Sequence, residues 1–289
     1  MKVLLIFTFN TSLEHWDKRG IISREISLYK NILEKEHEVY FLTYDDKKDF
    51  QFSELLNGIK VILALKSIRS SNRRIILIKS FILPILLRKI FKKIDIIKTN
   101  QLEGSWVAWI GKIIFRKKLI VRGGFEWLKF YILHNITAKN KKNLKYWIKY
   151  FWIYIVELIS YKLADTIILT NPIDIEFIVR TFKLKKKKIK LIYNFIDTNH
   201  FKPQNIKKKE KHVLFIGRFT LQKNLFNLLE AFEDLKGFSL DLIGDGPYKR
   251  NLLEKAEEYG INLNFLGVLP NNLIPSVLNQ YDIFILPSF

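Results

Sequence analysis

The sequence predicts an α/β protein built from two doubly wound domains on parallel sheets. Three observations carry this expectation. Apolar runs of strand length alternate with amphipathic stretches of helix length almost throughout the 289 residues. The strand-like runs, such as KVLLIFTF from Lys2 and ADTIILTN from Ala164, are apolar at consecutive positions. That is the pattern of strands covered on both faces. The alternation breaks at FKPQNIKKKEK, residues 201–211, where polarity peaks and Pro203 interrupts, and then restarts. The expected organisation is a first domain over 1–200, a linker over 201–211 and a second domain over 212–289, with a cleft between the domains.

The elements follow in order. KVLLIFTF is a strand, followed by a loop ending near Gly20 and a helix through REISLYKNILEK. EVYFLTY and IKVILAL are strands, and the basic, apolar stretch from Arg73 to Lys93 is a helix bent near Pro84. IDIIKTN, GSWVAWIGKIIF and KLIVRGG give strand, helix, strand. A long aromatic and basic helix runs from about Lys141 to Leu163. ADTIILTN is a strand, PIDIEFIVRTF a helix opened by proline in its first turn, and KIKLIYN a strand. In the second domain HVLFIG, FSLDLIG, NLNFLG and DIFILPS are strands, separated by the helices LFNLLEAFEDL, YKRNLLEKAEEYG and IPSVLNQY.

Composition excludes several classes. With 48% hydrophobic and 14% aromatic residues the chain can bury a core, so disorder is not its main state. The absence of cysteine removes disulfide scaffolds, thiolate metal sites and cysteine nucleophiles. The N-terminal MKVLLIFTFN reads as a buried strand rather than a signal peptide. No apolar run approaches the ~20 residues that span a bilayer. The expectation is a soluble or membrane-peripheral protein.

The net charge of +21 is unevenly placed. Residues 205–289 hold ten basic and ten acidic side chains, so the whole excess lies in 1–204. Lysine outnumbers arginine, 38 to 11. A reader of nucleic acid would favour arginine for its bidentate contacts, so a diffuse lysine excess suits an anionic surface better. The segments Arg73–Lys93 and Lys139–Lys162 mix lysine and arginine with Trp, Tyr, Phe and Ile, as interfacial helices do. Helices packed on a sheet with solvated lysine faces give the same periodicity.

The most informative segment is HVLFIGRFTLQKNLFNLLEAF. A buried strand ends at Gly217, a loop carries Arg218 and Lys223, and Asn224 stands where it can cap the next helix. Ligands of open α/β sheets bind beyond the carboxyl ends of strands, and two cations at a helix N-terminus there suit a diphosphate. Ordinary solvated loop charges are the competing reading. No cluster of carboxylates or histidines points to a metal, and none of His15, His37, His134, His200 and His212 is given a role.

GRFTLQK resembles the G-R-x-x-x-x-K donor loop of the family-4 retaining glycosyltransferases, which have the GT-B fold. LADTIILTN resembles the strand that closes their first domain. IYNFIDTNHFKP resembles their P-N-G-(v/i)-D-x-x-x-F-x-P linker through Asn194, Asp197, Phe201 and Pro203, with Tyr193 and Phe195 departing from it. LDLIGDGPYKRNLLEKAEEYGINLNFLGVLP matches their G-x-G-P turn, helix and next strand, and YDIFILPS their "a-D-i-f-(v/l)-P-S".

The resemblance implies a sugar transfer with retention from a nucleotide-diphosphate-sugar donor to a lipid-linked or saccharide acceptor, without metal or other cofactor, in surface polysaccharide or glycolipid assembly. Arg218 and Lys223 would hold the diphosphate and stabilise the charge that develops on it. Gly217, Asn194, Gly244, Gly246, Leu266, Gly267, Pro287 and Ser288 would line the donor site; for Gly244 and Gly246 a plain tight turn explains the residues equally well. SLEHWDKRGIISREISLYK, IIKTNQLEGS and IVRGGFEW resemble a narrower group of these enzymes. They make Gly20, Asn100, Gln101, Glu103, Arg122 and Glu126 candidates for acceptor or donor-sugar contacts. Many family members carry a histidine where this chain has Val121–Arg122–Gly123.

In the family, P-S is followed by E-G-F-G and an E-x7-E pair, and neither occurs before Phe289. The resemblance therefore implies a truncated donor domain and a weak or inactive catalyst in the chain as it stands. The implied location is the cytoplasm, peripheral on the inner membrane face, with no nucleic-acid partner. A non-catalytic basic protein binding membrane or nucleic acid, or a gene remnant, are the rival readings.

Overall fold

The structure is a computed structural model that describes residues 1–45, 48–136 and 143–288, the side chains of His134 and Ile136 excepted. Its chain divides into two units, Met1–Phe195 and Ile196–Phe289.

The first unit is a seven-stranded sheet of β1 (Lys2–Ile6), β2 (Glu38–Thr43), β3 (Lys60–Leu63), β4 (Ile96–Thr99), β5 (Lys118–Gly123), β6 (Thr166–Leu169) and β7 (Ile189–Leu191). Every pairing is parallel and the order is β3-β2-β1-β4-β5-β6-β7. Consecutive side chains of a strand point to opposite faces. Leu4 and Ile6 accordingly pack into one core with Trp106, Tyr161 and Phe182, while Leu5 and Phe7 pack into another with Trp16, Tyr29 and Phe41. Burial on both sides is why these strands read as unbroken apolar runs. The second unit repeats the plan with β8 (His212–Ile216), β9 (Ser239–Ile243), β10 (Asn262–Gly267) and β11 (Ile283–Phe284), all parallel, in the order β10-β9-β8-β11. All eleven expected strands are present.

Three expectations change. The loop before Gly20 contains a helix, Leu13–Lys18, whose N-terminal amides of Leu13 and Glu14 donate to the Asp49 carboxylate at 2.9 and 3.4 Å. The Asp49 contact comes from 36 residues away, and the local signal, Ser12 at the N-cap bonded to His15 three residues on, was passed over. The stretch Arg73–Lys93 is three helices, Arg73–Ser80, Leu83–Leu86 and Arg88–Lys93, rather than one bent helix. Pro84 sits in the first turn of the middle one, where its missing N–H costs nothing. The segment 201–211 is no free linker. Gln204 N donates to Asn279 Oδ1 and Lys209 N to the Gln280 carbonyl, each at 2.8 Å, so these residues belong to the second unit.

The long aromatic helix runs from Leu144 to Leu163, its N-terminus capped by Asn143 Oδ1 accepting from Lys145 N at 2.9 Å. The expected start at Lys141, like part of the segment from Lys139, lies outside the described residues.

Candidate functional site

The carboxyl ends of three strands of the second unit meet at glycines. Gly217 N donates to the Ile243 carbonyl at 2.9 Å, and Gly244 N to the Gly267 carbonyl at 2.7 Å. Gly244 has φ +138°, and a Cβ placed there would stand 1.9 Å from the Gly217 carbonyl oxygen. Gly246 is as confined: its Cβ would fall 2.4 Å from the Phe219 carbonyl oxygen. The turn of Gly244 to Gly246 thus lies backbone against backbone on the segment Gly217 to Phe219. A further bond, Phe219 N to the Asp245 carbonyl at 2.9 Å, fixes it. Side chains are excluded where these two loops touch.

Arg218 leaves this floor exposed, while its neighbour Phe219 is fully buried and anchors the loop. Lys223 ends a short 3₁₀ turn, Leu221–Lys223, and is half-buried, its stem 3.7 Å from the space above Gly217. Neither cation makes an ion pair or a side-chain hydrogen bond among the described residues. Two unneutralised cations flank the end of β8, beside the β8–β11 boundary where the strand order reverses, the place where open sheets bind ligands. Asn224 occupies the N-cap of helix Leu225–Phe232 as expected, but with φ 54° and no side-chain cap bond.

Leu266 is exposed and Gly267, at φ +76°, has open space where a Cβ would be. Pro287 and Ser288 follow β11; the Ser288 Oγ is buried without a hydrogen-bond partner among the described residues. Asn194 lies in the first unit, where its Oδ1 accepts from Arg122 Nη2 at 2.8 Å.

In the first unit, Asn100 follows β4 at the β1–β4 reversal and donates from Nδ2 to Thr8 Oγ1 at 3.4 Å. Gln101 Oε1 accepts from Gly124 N at 3.3 Å. Glu103 is half-buried, and that burial raises its carboxyl pKa against the pull of Arg73 and Lys149. Gly20 ends a helical turn, bonded to the Asp17 carbonyl, with φ +65° and free space around it. Its geometry is that of a helix stop.

Glu126 is placed differently from the cleft contact expected of it. It is fully buried and accepts from the Tyr161 hydroxyl at 2.6 Å, while its Oε1 has no partner among the described residues. Glu157, also fully buried, accepts from Leu128 N at 2.9 Å. Burial raises both carboxyl pKa values, Glu126 to about 8, and at Glu157 the charge of Glu126 adds to the effect. The segment enters the core because Glu126 and Leu128 point inward where the chain leaves β5.

Arg122 gathers a cluster that the sequence reading missed. Besides Asn194, it meets Glu25 at 3.2 Å, and Glu25 also pairs with Arg24 at 2.7 Å. Burial works against the Glu25 carboxylate, but the two arginines hold its pKa below the usual range. Lys98, on the same face of β4, is buried and donates to the Tyr29 hydroxyl at 2.9 Å; burial and then Arg122 push its pKa down to about 7. A signal existed for both. Glu25 shares a helical stripe with Ile22, Ile26 and Tyr29, and Lys98 interrupts a strand otherwise covered on both faces.

His212 turns out to have a structural place: its Nδ1 lies 3.0 Å from Asp241, which also accepts from the Tyr281 hydroxyl and Asn264. Among the described residues no group of three or more His, Asp or Glu side chains is placed to hold a metal ion. No helix among them is long and apolar enough to cross a membrane.

Two Rossmann-like units, the second with a glycine floor and paired cations at its strand ends, define a protein of the GT-B architecture. Comparison with known proteins makes the family specific. Residues 26–200 match the family described as Glycosyltransferase Family 4, and residues 196–289 match Glycosyl transferases group 1. The chain belongs to the family-4 glycosyltransferases.

An uncharacterized 41.2 kDa protein from the cps region of Klebsiella pneumoniae is 28% identical over 229 residues, 75% of this chain and 60% of that protein. The N-acetylgalactosamine-N,N'-diacetylbacillosaminyl-diphospho-undecaprenol 4-α-N-acetylgalactosaminyltransferase of Campylobacter jejuni is 30% identical over 105 residues, 35% of this chain and 29% of that enzyme. Other matching relatives are named as glycosyltransferases of amylovoran and capsular polysaccharide biosynthesis. The chain spans less than two thirds of the length of these relatives. Among solved structures, HepE of Anabaena in complex with UDP superposes with a TM-score of 0.66 at 16% identity, over 100% of this chain and 74% of that one.

Proposed function

We propose that this protein transfers a sugar, with retention of anomeric configuration, from a nucleotide-diphosphate-sugar to a lipid-linked or saccharide acceptor in surface polysaccharide or glycolipid assembly. The observation that carries the reading is the unneutralised pair Arg218 and Lys223 above the Gly217–Gly244 floor. Departure of the sugar leaves negative charge on the diphosphate. Two preorganised cations stabilise that charge more in the transition state than in the ground state, which is what accelerates the step. Gly244 and Gly246 let the two loops that carry the floor pack backbone to backbone beneath the phosphates, and Leu266, Gly267, Pro287 and Ser288 lie at neighbouring strand ends for the nucleoside.

In this reading the phosphates are held by cations of the chain itself, so no metal or other cofactor takes part, and activity survives chelation. Asn100, Gln101, Glu103 and Arg122 face the sugar or acceptor. The basic, apolar surface of helix Leu144–Leu163 rests on an anionic membrane face, on the cytoplasmic side where nucleotide sugars are made. Nucleic acid is not a partner.

Calorimetric titration with UDP, GDP and their sugars tests the reading. Saturable binding that Arg218→Ala weakens at least tenfold is the expected result. Failure of every nucleotide to bind, or binding indifferent to Arg218, defeats it. NMR of the product assigns the anomer.

A further inference from the structure

Helix Ile22–Leu33 and the carboxyl ends of β4 and β5 gather more positive charge than the fold neutralises. Arg122, on β5, donates from Nη1 to Glu25 at 3.2 Å and from Nη2 to Asn194 Oδ1 at 2.8 Å. Arg24 holds the other Glu25 oxygen at 2.7 Å. Lys98 Nζ reaches the Tyr29 hydroxyl at 2.9 Å, and the charges that act on it are those of Arg122 and Glu25. Three basic side chains therefore gather around one carboxylate. Among the described residues no other carboxylate pairs with either arginine, and Glu103 answers to Arg73 and Lys149 instead.

One cation is enough to hold a shielded carboxylate; further cations repel one another where water is scarce. Burial lowers the charge on Lys98, so above neutral pH the surplus is nearer one positive charge than two. Arg122 is open to a small ligand, with 16% of its side chain exposed. Its Nε and the second hydrogens of both terminal nitrogens donate to nothing among the described residues. A planar guanidinium with donors to spare matches a carboxylate. Two amides stand at the same strand ends. Asn100 reaches Thr8 only at 3.4 Å, and Gln101 turns its Oε1 to Gly124 N, which leaves its Nε2 for a hydroxyl. Both follow β4, beside the reversal of strand order where open sheets take ligands. We infer that this corner of the first unit binds a uronic acid residue, its carboxylate on Arg122 and its hydroxyls on Asn100 and Gln101. A neutral sugar leaves the surplus charge unanswered, and a phosphate group brings about two negative charges where one is wanted. The inference rests on the transferase reading, which it deepens by naming the class of sugar.

The test separates a uronic acid on the donor from one in the acceptor. The full chain is titrated calorimetrically with UDP-glucuronate and UDP-glucose, and with methyl glucuronide and methyl glucoside, the second pair with and without UDP. Expected is at least tenfold tighter binding of the acidic sugar in one pair, which identifies the source. Arg122→Gln, which keeps a donor for Glu25, removes that preference while UDP affinity stays within twofold. Equal affinities within both pairs, or a preference indifferent to Arg122, overturn the inference. Arg122-dependent binding of glucose 6-phosphate as tight as that of the glucuronide also overturns it, in favour of a phosphate site. If Arg122→Gln does not fold, Arg122→Lys keeps the charge without the fork and lowers the preference at least threefold; an unchanged preference is again fatal. If UDP fails to bind, the transferase reading falls, and the methyl glucuronide pair without UDP decides this inference by itself.

Discussion

Gly244 lies against Gly217 so closely that one added methyl group on Gly244 would reach 1.9 Å from the Gly217 carbonyl oxygen. This contact holds two loops at one height above the second sheet and leaves Arg218 standing over bare backbone. Gly244→Ala combines a strained φ with a clash that only backbone movement relieves. It should destabilise the second unit by about 2–4 kcal/mol. Gly237→Ala, also at positive φ but in open space, should cost only about 1–2 kcal/mol. Denaturant midpoints of the two variants check the ranking, and equal effects would contradict the packing described.

Arg218 and Lys223 do no structural work that an ion pair or hydrogen bond reveals. Alanine at either position should leave stability within about 0.5 kcal/mol of the parent. Each should weaken UDP binding at least tenfold, a difference of about 1.4 kcal/mol. A large loss of melting temperature with unchanged nucleotide affinity would reverse the assignment.

Glu126 keeps its proton in the folded protein up to about pH 8, whereas an unfolded glutamate loses it near ~4.3. Between those values the folded state binds more protons than the unfolded one, so stability falls as pH rises through the window and levels off above it. Tyr161, Glu157, Asp174 and Lys129 are the titratable groups around it. Glu126→Gln should reduce the decline between pH 5 and 8 by at least about 1 kcal/mol. Melting curves across that range, showing parallel declines for parent and variant, would rule this out.

Glu25 and Arg122 are both largely shielded from water and joined at 3.2 Å. A double-mutant cycle with Glu25→Gln and Arg122→Met should return a coupling of about 1–3 kcal/mol. Additive effects on the unfolding free energy would mean that Arg24 alone satisfies Glu25.

The strand framework was legible because period and burial coincide: KVLLIFTF and HVLFIG could hardly be anything but covered strands. The Arg218–Lys223 segment was legible as a loop because it follows such a strand and precedes a helix. Where the reading failed, the deciding partner lay far away in the chain. Asp49 caps a helix 36 residues earlier, whose local signal at Ser12 was passed over. Arg122 finds Glu25 and Asn194, 97 and 72 positions distant. Glu126, written as a cleft residue, is drawn inward by Tyr161. Pairings of this kind are set by topology, and a single sequence does not display topology. The helix Trp127–Ile136 escaped notice altogether, since only the later stretch from about Lys141 to Leu163 was read as helical.

The interior position of β1 in the first sheet has a consequence for how the chain is made. β1 bonds on one side to β2, Lys2 to Glu38, and on the other to β4, Val3 to Ile96. During synthesis one edge of β1 can pair once Thr43 has emerged, but the other must wait for Thr99. At about 5–20 residues per second that interval is on the order of 3–10 seconds. Throughout it Leu4, Leu5 and Ile6 present an open, apolar strand edge in the nascent chain, a template for pairing with the wrong partner. Chaperone dependence at this stage, rather than weakness of the finished fold, should limit the yield of soluble protein.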